Sequence, residues 1–398
     1  MIKKILIIIV VFQILSTFNI SIICQSKNLD RSSINEPLFD SEINYFMKIG
    51  HLPSLSACII KNGTIVWSKS YGYKNVLKRE KADLDTVYLA GSISKTITAT
   101  AIMQLYEKGF FNLDDDVNKY LDFNVRNPNY PKEPITFRML LSHHASIAGD
   151  SLFKTFYLVY ISLFKQKIYP YPLIKNLLTN KIYSKFIWAD TPPVNYSYYE
   201  SFSSILLQYL VEKLTNQSFE DYCNKNIFLP LEMKNTSFIV SDFEKNQLAI
   251  PYANLFCLYI RLPQVRGVAG PGGLRTSVND LSKFLIAIMN GGVYNNTRIL
   301  NESTVDIMET VQFPNSTDQL HDVKFGLGLQ IWNYTDKLVL IGHTGQVPGG
   351  TAIMEFSQSN NTGIVFFINE QTWLIKRPLV TFAWQNIFKL MIDKMVSY

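Results

Sequence analysis

A chain of 398 residues with 47% hydrophobic and 18% charged residues can bury a substantial core and lacks the composition of a disordered protein. Its net charge of +6 is scattered among acids, and no run of lysine and arginine occurs, which argues against nucleic acid as a partner. The chain opens with Lys3 and Lys4 ahead of an apolar run from Ile5 to Ile23, the n-region and h-region of a secretory signal. Residues 1–25 read as a cleaved signal peptide or, because the run is about one membrane span long, as an uncleaved signal anchor. Nine Asn-x-Ser/Thr sites beyond it (Asn62, Asn195, Asn216, Asn235, Asn295, Asn301, Asn315, Asn333 and Asn360) fit a secreted or lumenal glycoprotein. A membrane is a partner only if the leader stays uncleaved. Cys58, Cys223 and Cys257 are too few for a disulfide framework and have no zinc-ligand spacing; at most one bridge forms among them.

Beyond a polar linker at 26–37, the spacing of Ile43, Phe46 and Met47 predicts a helix. Two apolar runs flanking Asn62-Gly63 predict a hairpin, since that dipeptide accepts the positive φ values of a tight two-residue turn. Ser92 to Lys108 reads as a long helix with Ile93, Ile97, Ala101, Met103 and Leu105 largely buried, and "ITFRMLLSHHASIAG" as a short helix entering a loop. Residues 150–188 are apolar and aromatic and read as packed helices or a lid. Two helices follow, broken near Asn216 and stopped at Pro230. A glycine-rich loop with "GPGG" at 270–273 then leads into a helix starting near Ser277 and closed by Gly291-Gly292. The last hundred residues predict strands at "FGLGLQIWNY", "KLVLIGHTG", "GGTAIMEFS" and "NTGIVFFIN", then a helix ending near Lys394. This order suggests a mixed sheet fed from both termini, with a helical region between.

Ser92 and Lys95 stand three residues apart where a helix begins. That spacing puts both side chains on one face, while the exposed N–H groups and positive dipole end favour an alkoxide over an ammonium. A desolvated lysine there can deprotonate the serine. The bare Ser-x-x-Lys pattern is cheap: it recurs at Ser151/Lys154 and Ser162/Lys165, where it reads as ordinary helix starts. The small residues Ala90 and Gly91 before Ser92 and the apolar helix after it set this copy apart. The pair His143-His144 has no third metal ligand in view and reads as a loop or helix-end feature.

In "VYLAGSISKTITATAIMQLYEKGFFNLDDDVNKYL" the chain resembles the nucleophile region of the serine β-lactamase and penicillin-binding-protein superfamily, near the class C β-lactamases, D-Ala-D-Ala carboxypeptidases and related esterases. The resemblance continues in order through "ITFRMLLSHHASI", the segment 192–238, "AGPGGLRTSVNDLSKFLIAIMNGG" and "LIGHTGQVPGG". It implies an α/β, β-lactamase-like fold: an antiparallel sheet flanked by helices with an inserted all-helical region. One domain would span 38–398, its sheet part from about 38–100 and 320–398 and its helical part from about 101–319.

The resemblance also implies roles. Ser92 would be the nucleophile, with Lys95 and Tyr199 moving protons; a register one residue earlier would shift the phenol to Tyr198. The family's Tyr-x-Asn becomes Tyr199-Glu200-Ser201, with serine where asparagine is usual, and its Lys-Thr-Gly becomes His343-Thr344-Gly345. Ser201, His343, Thr344, Gly345 and Gln346 would bind substrate, and the N–H groups of Ser92 and Gln346 would form the oxyanion hole. The implied activity is hydrolysis of an amide or ester in a small molecule or peptide through an acyl-enzyme, requiring no metal or organic cofactor. The alternatives are a catalytically inactive binding or scaffold protein on the same fold, suggested by Ser201 and the apolar stretch at 150–188, and a membrane-tethered ectodomain.

Overall fold

The computed structural model describes residues 36–149, 171–255, 258–262, 272–318, 320, 322–370 and 378–398. The leader, most of the linker, the two other Ser-x-x-Lys pairs, Cys257 and the first half of "GPGG" lie outside the described residues. Cys58 and Cys223 are buried free thiols. Among the described residues no helix is long and apolar enough to cross a membrane.

Helix α1 (Glu36–Gly50) leads into β1 (Ser54–Lys61) and β2 (Thr64–Asn75). Their turn has positive φ at both Asn62 (48°) and Gly63 (71°), as the dipeptide predicts. A short β3 (Glu80–Lys81) follows, then α2 (Ser94–Glu107), α3 (Phe202–Thr215) and α4 (Val278–Met289). Asn216 ends α3 in the left-handed conformation, and the Ser277 hydroxyl accepts the Asp280 N–H to start α4. The C-terminal strands are β4 (Val323–Phe325), β5 (Gln330–Thr335), β6 (Leu338–Val347), β7 (Gly350–Ser357) and β8 (Thr362–Ile368), before α5 (Pro378–Ser397).

The eight strands lie in the order β4-β5-β6-β7-β8-β1-β2-β3. Every pairing is antiparallel, so the mixed sheet that element order suggested gives way to the antiparallel one of the resemblance. Successive strands here are joined by tight turns, which only antiparallel neighbours permit. "FGLGLQIWNY" is two strands rather than one. Gly326 and Gly328 break it, because a Cβ at Gly326 would sit 2.0 Å from the Met308 carbonyl oxygen and one at Gly328 would sit 2.2 Å from Ala99 Cβ.

Both faces of the sheet are covered, and period-two alternation sorts the side chains. Leu55, Ala57, Ile59, Ile353, Ile364, Phe366 and Ile368 face α1 and α5. Cys58, Ile60, Ile341, Ala352, Met354, Val365 and Phe367 face the helical region, where α2, α3 and α4 are buried. Helices Tyr171–Thr179 and Lys181–Ile187 belong to that region, and the Tyr171 hydroxyl donates to Glu212 of α3 at 3.2 Å.

Candidate active site

Ser92 lies in a single 3-10 turn, Gly91–Ile93, that runs straight into α2. Gly91 carries φ +58°, and a Cβ there would approach the Gln346 nitrogen to 2.8 Å; only glycine suits both demands. The turn is held by Ser94, whose hydroxyl donates to the Gly91 carbonyl at 2.6 Å and accepts the Leu274 N–H at 3.0 Å. One helical turn places Lys95 Nζ 3.0 Å from Ser92 Oγ, donating to it, with the lysine only 5% exposed.

Tyr199 arrives from the loop ahead of α3, and Lys95 Nζ sits 5.0 Å from its ring centroid. The ring stacks on Phe325 at 6.1 Å and lies 5.9 Å from His343 and 4.8 Å from His143. Tyr198 takes another direction: its hydroxyl pairs with Thr191 Oγ1 at 3.0 Å, and its ring packs on Tyr196. Of the two candidate phenols, Tyr199 is the one whose ring lies beside Lys95. Ser201 is 8% exposed and immediately precedes α3, and its side chain makes no capping bond.

The β6 strand closes the other side. His343 and Gly345 share the parity of Ile341, so they face the helical region and Ser92. A Cβ on Gly345 would fall 1.9 Å from the Ala90 carbonyl oxygen and 3.3 Å from the Ser92 nitrogen. Strand β5 pairs with β6 only as far as Gln330 opposite Gly342, which leaves one edge of Thr344–Gln346 clear of it. On that edge the Thr344 N–H and hydroxyl meet Gln330 Oε1 at 3.3 and 3.4 Å. Alternation then turns the Gln346 N–H to the same edge, beside the turn that carries the Ser92 N–H.

His343 is buried, and its Nδ1 lies 2.6 Å from the Thr344 carbonyl. Burial, and after it the neighbouring Lys95 charge, pushes its imidazole down to about 3, so it is neutral at physiological pH. His144 faces away, bonding Ser142 and Ser316, and burial pushes it down to about 4. His143 lies two residues past the helix Phe137–Leu141, a helix-end position as the sequence reading has it, and its ring also packs, tilted, against Tyr199. No local signal marks it, because the contact is made only when residues 143 and 199 meet in space.

These parts put a serine hydroxyl against a buried amine at the positive end of a helix, with a phenol across from it and two main-chain N–H groups behind. The set suits nucleophilic attack on a carbonyl with side-chain proton transfer.

Comparisons with known proteins give the family and the fold. The chain is 24% identical to the protein Flp of Staphylococcus aureus (strain MW2) over 332 residues, 83% of this chain and 62% of that protein, so it spans less than two thirds of Flp. It is 27% identical to PbpX of Bacillus subtilis (strain 168), covering 82% of this chain and 73% of PbpX. Among solved structures, the octameric penicillin-binding protein homologue from Pyrococcus abyssi superposes with a TM-score of 0.74 at 27% identity, covering 89% of this chain and 78% of that one. The Beta-lactamase family model matches residues 39–380, and the chain belongs to the beta-lactamase family, a serine hydrolase family that includes penicillin-binding-protein-like members.

Proposed function

We propose that the chain hydrolyses an amide or ester carbonyl of a small molecule or peptide through an acyl-enzyme on Ser92. The observation that carries this is the 3.0 Å approach of Lys95 Nζ to Ser92 Oγ on the first turn of a buried helix. Lys95 takes the serine proton as Oγ attacks, and the tetrahedral oxyanion forms between the N–H groups of Ser92 and Gln346. Tyr199 passes a proton to the leaving group. Water, deprotonated by the same groups, then releases the acid and restores Ser92. Thr344, Gly345 and the clear edge of β6 receive the substrate backbone, and His343 offers a neutral polar group beside it. Ser201 supplies one hydroxyl where the family's asparagine would supply an amide, which supports esters and peptides over β-lactams. The same replacement, with the apolar stretch at 150–188, favours an inert binding protein as the second reading.

A fluorophosphonate probe and a p-nitrophenyl ester separate the two readings. Wild type should label and turn over, and Ser92→Ala should lose both. Full labelling of Ser92→Ala points to another nucleophile, and a folded wild type that never labels supports the inert reading. Export through the leader is part of the proposal; sequencing the mature N-terminus, expected near residue 25, tests it.

A further inference from the structure

Behind Tyr199 lies a pair of side chains that the proposed mechanism leaves unused. Glu200 is 1% exposed and His143 is 5% exposed. One carboxylate oxygen of Glu200, Oε2, accepts the Ser203 N–H at 2.9 Å and so anchors the start of α3. The other, Oε1, has no hydrogen-bond partner among the described residues and lies 3.5 Å from His143 Nδ1. The Glu200 N–H also reaches Nδ1 at 3.5 Å, a bond open only to a ring whose Nδ1 is bare; with its proton on Nδ1 the ring instead donates to Oε1. His143 holds a left-handed backbone, φ +64°, uncommon for any residue but glycine. Its ring is fixed between Tyr199 at 4.8 Å and the edge of Phe325 at 5.1 Å. The other charged or titratable groups of this cluster are Lys95 from α2 and His343 from β6, with His144, Asp318 and Lys324 beyond His143.

A carboxylate withdrawn from water at this depth is costly unless its free oxygen is compensated, and the imidazole is the group within reach. The pair has a second effect. Glu200 is bonded to the helix start, so an imidazole held by it is tied to the same frame that delivers Tyr199, and its ring centroid lies 4.8 Å from that of the phenol. We propose that Glu200 and His143 are positioning residues for Tyr199: the carboxylate fixes the imidazole, and the imidazole fixes the phenol that transfers the proton. This rests on the hydrolase reading above.

The experiment measures turnover of a p-nitrophenyl ester and the rate of fluorophosphonate labelling for Glu200→Gln, His143→Asn and Tyr199→Phe, singly and combined. Glutamine keeps an oxygen for the Ser203 N–H, and asparagine tolerates the left-handed backbone, so both variants should fold. Glu200→Gln and His143→Asn should each lower kcat about tenfold with KM within about twofold, the pattern of a group that acts in the transition state. In the Tyr199→Phe background Glu200→Gln should add nothing, because it acts through that phenol. Glu200→Asp should rescue part of the loss. Effects that multiply in the double variant, or a fall in melting temperature with unchanged kcat, overturn the proposal. Wild type that turns over, beside a Glu200→Gln variant indistinguishable from it, removes this inference alone. An inert wild type removes the hydrolase reading with it.

Discussion

Gly345 of β6 and Ala90, two residues before the proposed nucleophile, touch backbone to backbone: a Cβ at Gly345 would lie 1.9 Å from the Ala90 carbonyl oxygen. Main chain cannot swing aside as a side-chain tip can, so Gly345→Ala must push β6 off the turn. We expect a loss of about 1–3 kcal/mol in chemical denaturation and loss of probe labelling, since Gln346 moves with the strand. Labelling at the wild-type rate would show that β6 plays no part in holding the oxyanion.

The tyrosine cluster yields a paired prediction. Tyr199→Phe should lower kcat by about 100-fold or more, as expected for removal of a proton-transfer group. Tyr198→Phe should stay within about threefold, because its hydroxyl is committed to Thr191. The reverse ranking would reinstate the earlier register.

Acid should destabilise the fold through two buried imidazoles. His343 and His144 are held down to about 3 and about 4, below the usual histidine value of 6.5. The unfolded chain therefore binds protons that the native chain refuses, and stability falls as pH drops below about 6.5. For His343 the loss is on the order of 3 kcal/mol by pH 4. Melting temperatures from pH 7 to pH 4 should fall steeply in wild type and less so in His343→Gln.

Glu355 works in the opposite sense. It lies on β7 with the parity of Ile353, facing α1 and α5, and its two oxygens meet no hydrogen-bond partner in good geometry among the described residues. Burial pushes its carboxyl up to about 8, with the Trp332 side chain opposing more weakly. Stability should therefore decline as pH rises from about 4.5 to about 8. Glu355→Leu should remove that slope and add about 1–3 kcal/mol at pH 8; an unchanged pH slope in this variant would contradict the assignment.

The sequence carried much of this because its signals were local. Asn62-Gly63 dictates its own turn, Ser277 caps its own helix, and three residues along a helical turn bring Lys95 to Ser92 without help from the rest of the chain. What it hid depends on distant partners. The break in "FGLGLQIWNY" is imposed by Met308 and Ala99, and the strand directions by connections that periodicity does not record. His143 gave no sign of lying beside Tyr199, since a histidine in a loop looks the same whether it meets solvent or a phenol. Glu200 was visible only as a filler between Tyr199 and Ser201, and its burial became apparent once α3 was seen to start on its carboxylate.

Strand β8 lies between β7 and β1, so the N-terminal hairpin is bound into the sheet by the strand that comes last in it along the chain. A ribosome that has finished α4 has already made the serine, the lysine and the tyrosine, yet β6 and its main-chain donors do not exist. Nascent chains and products of premature termination therefore lack the assembled site, which forms in one late step as the C-terminal strands emerge.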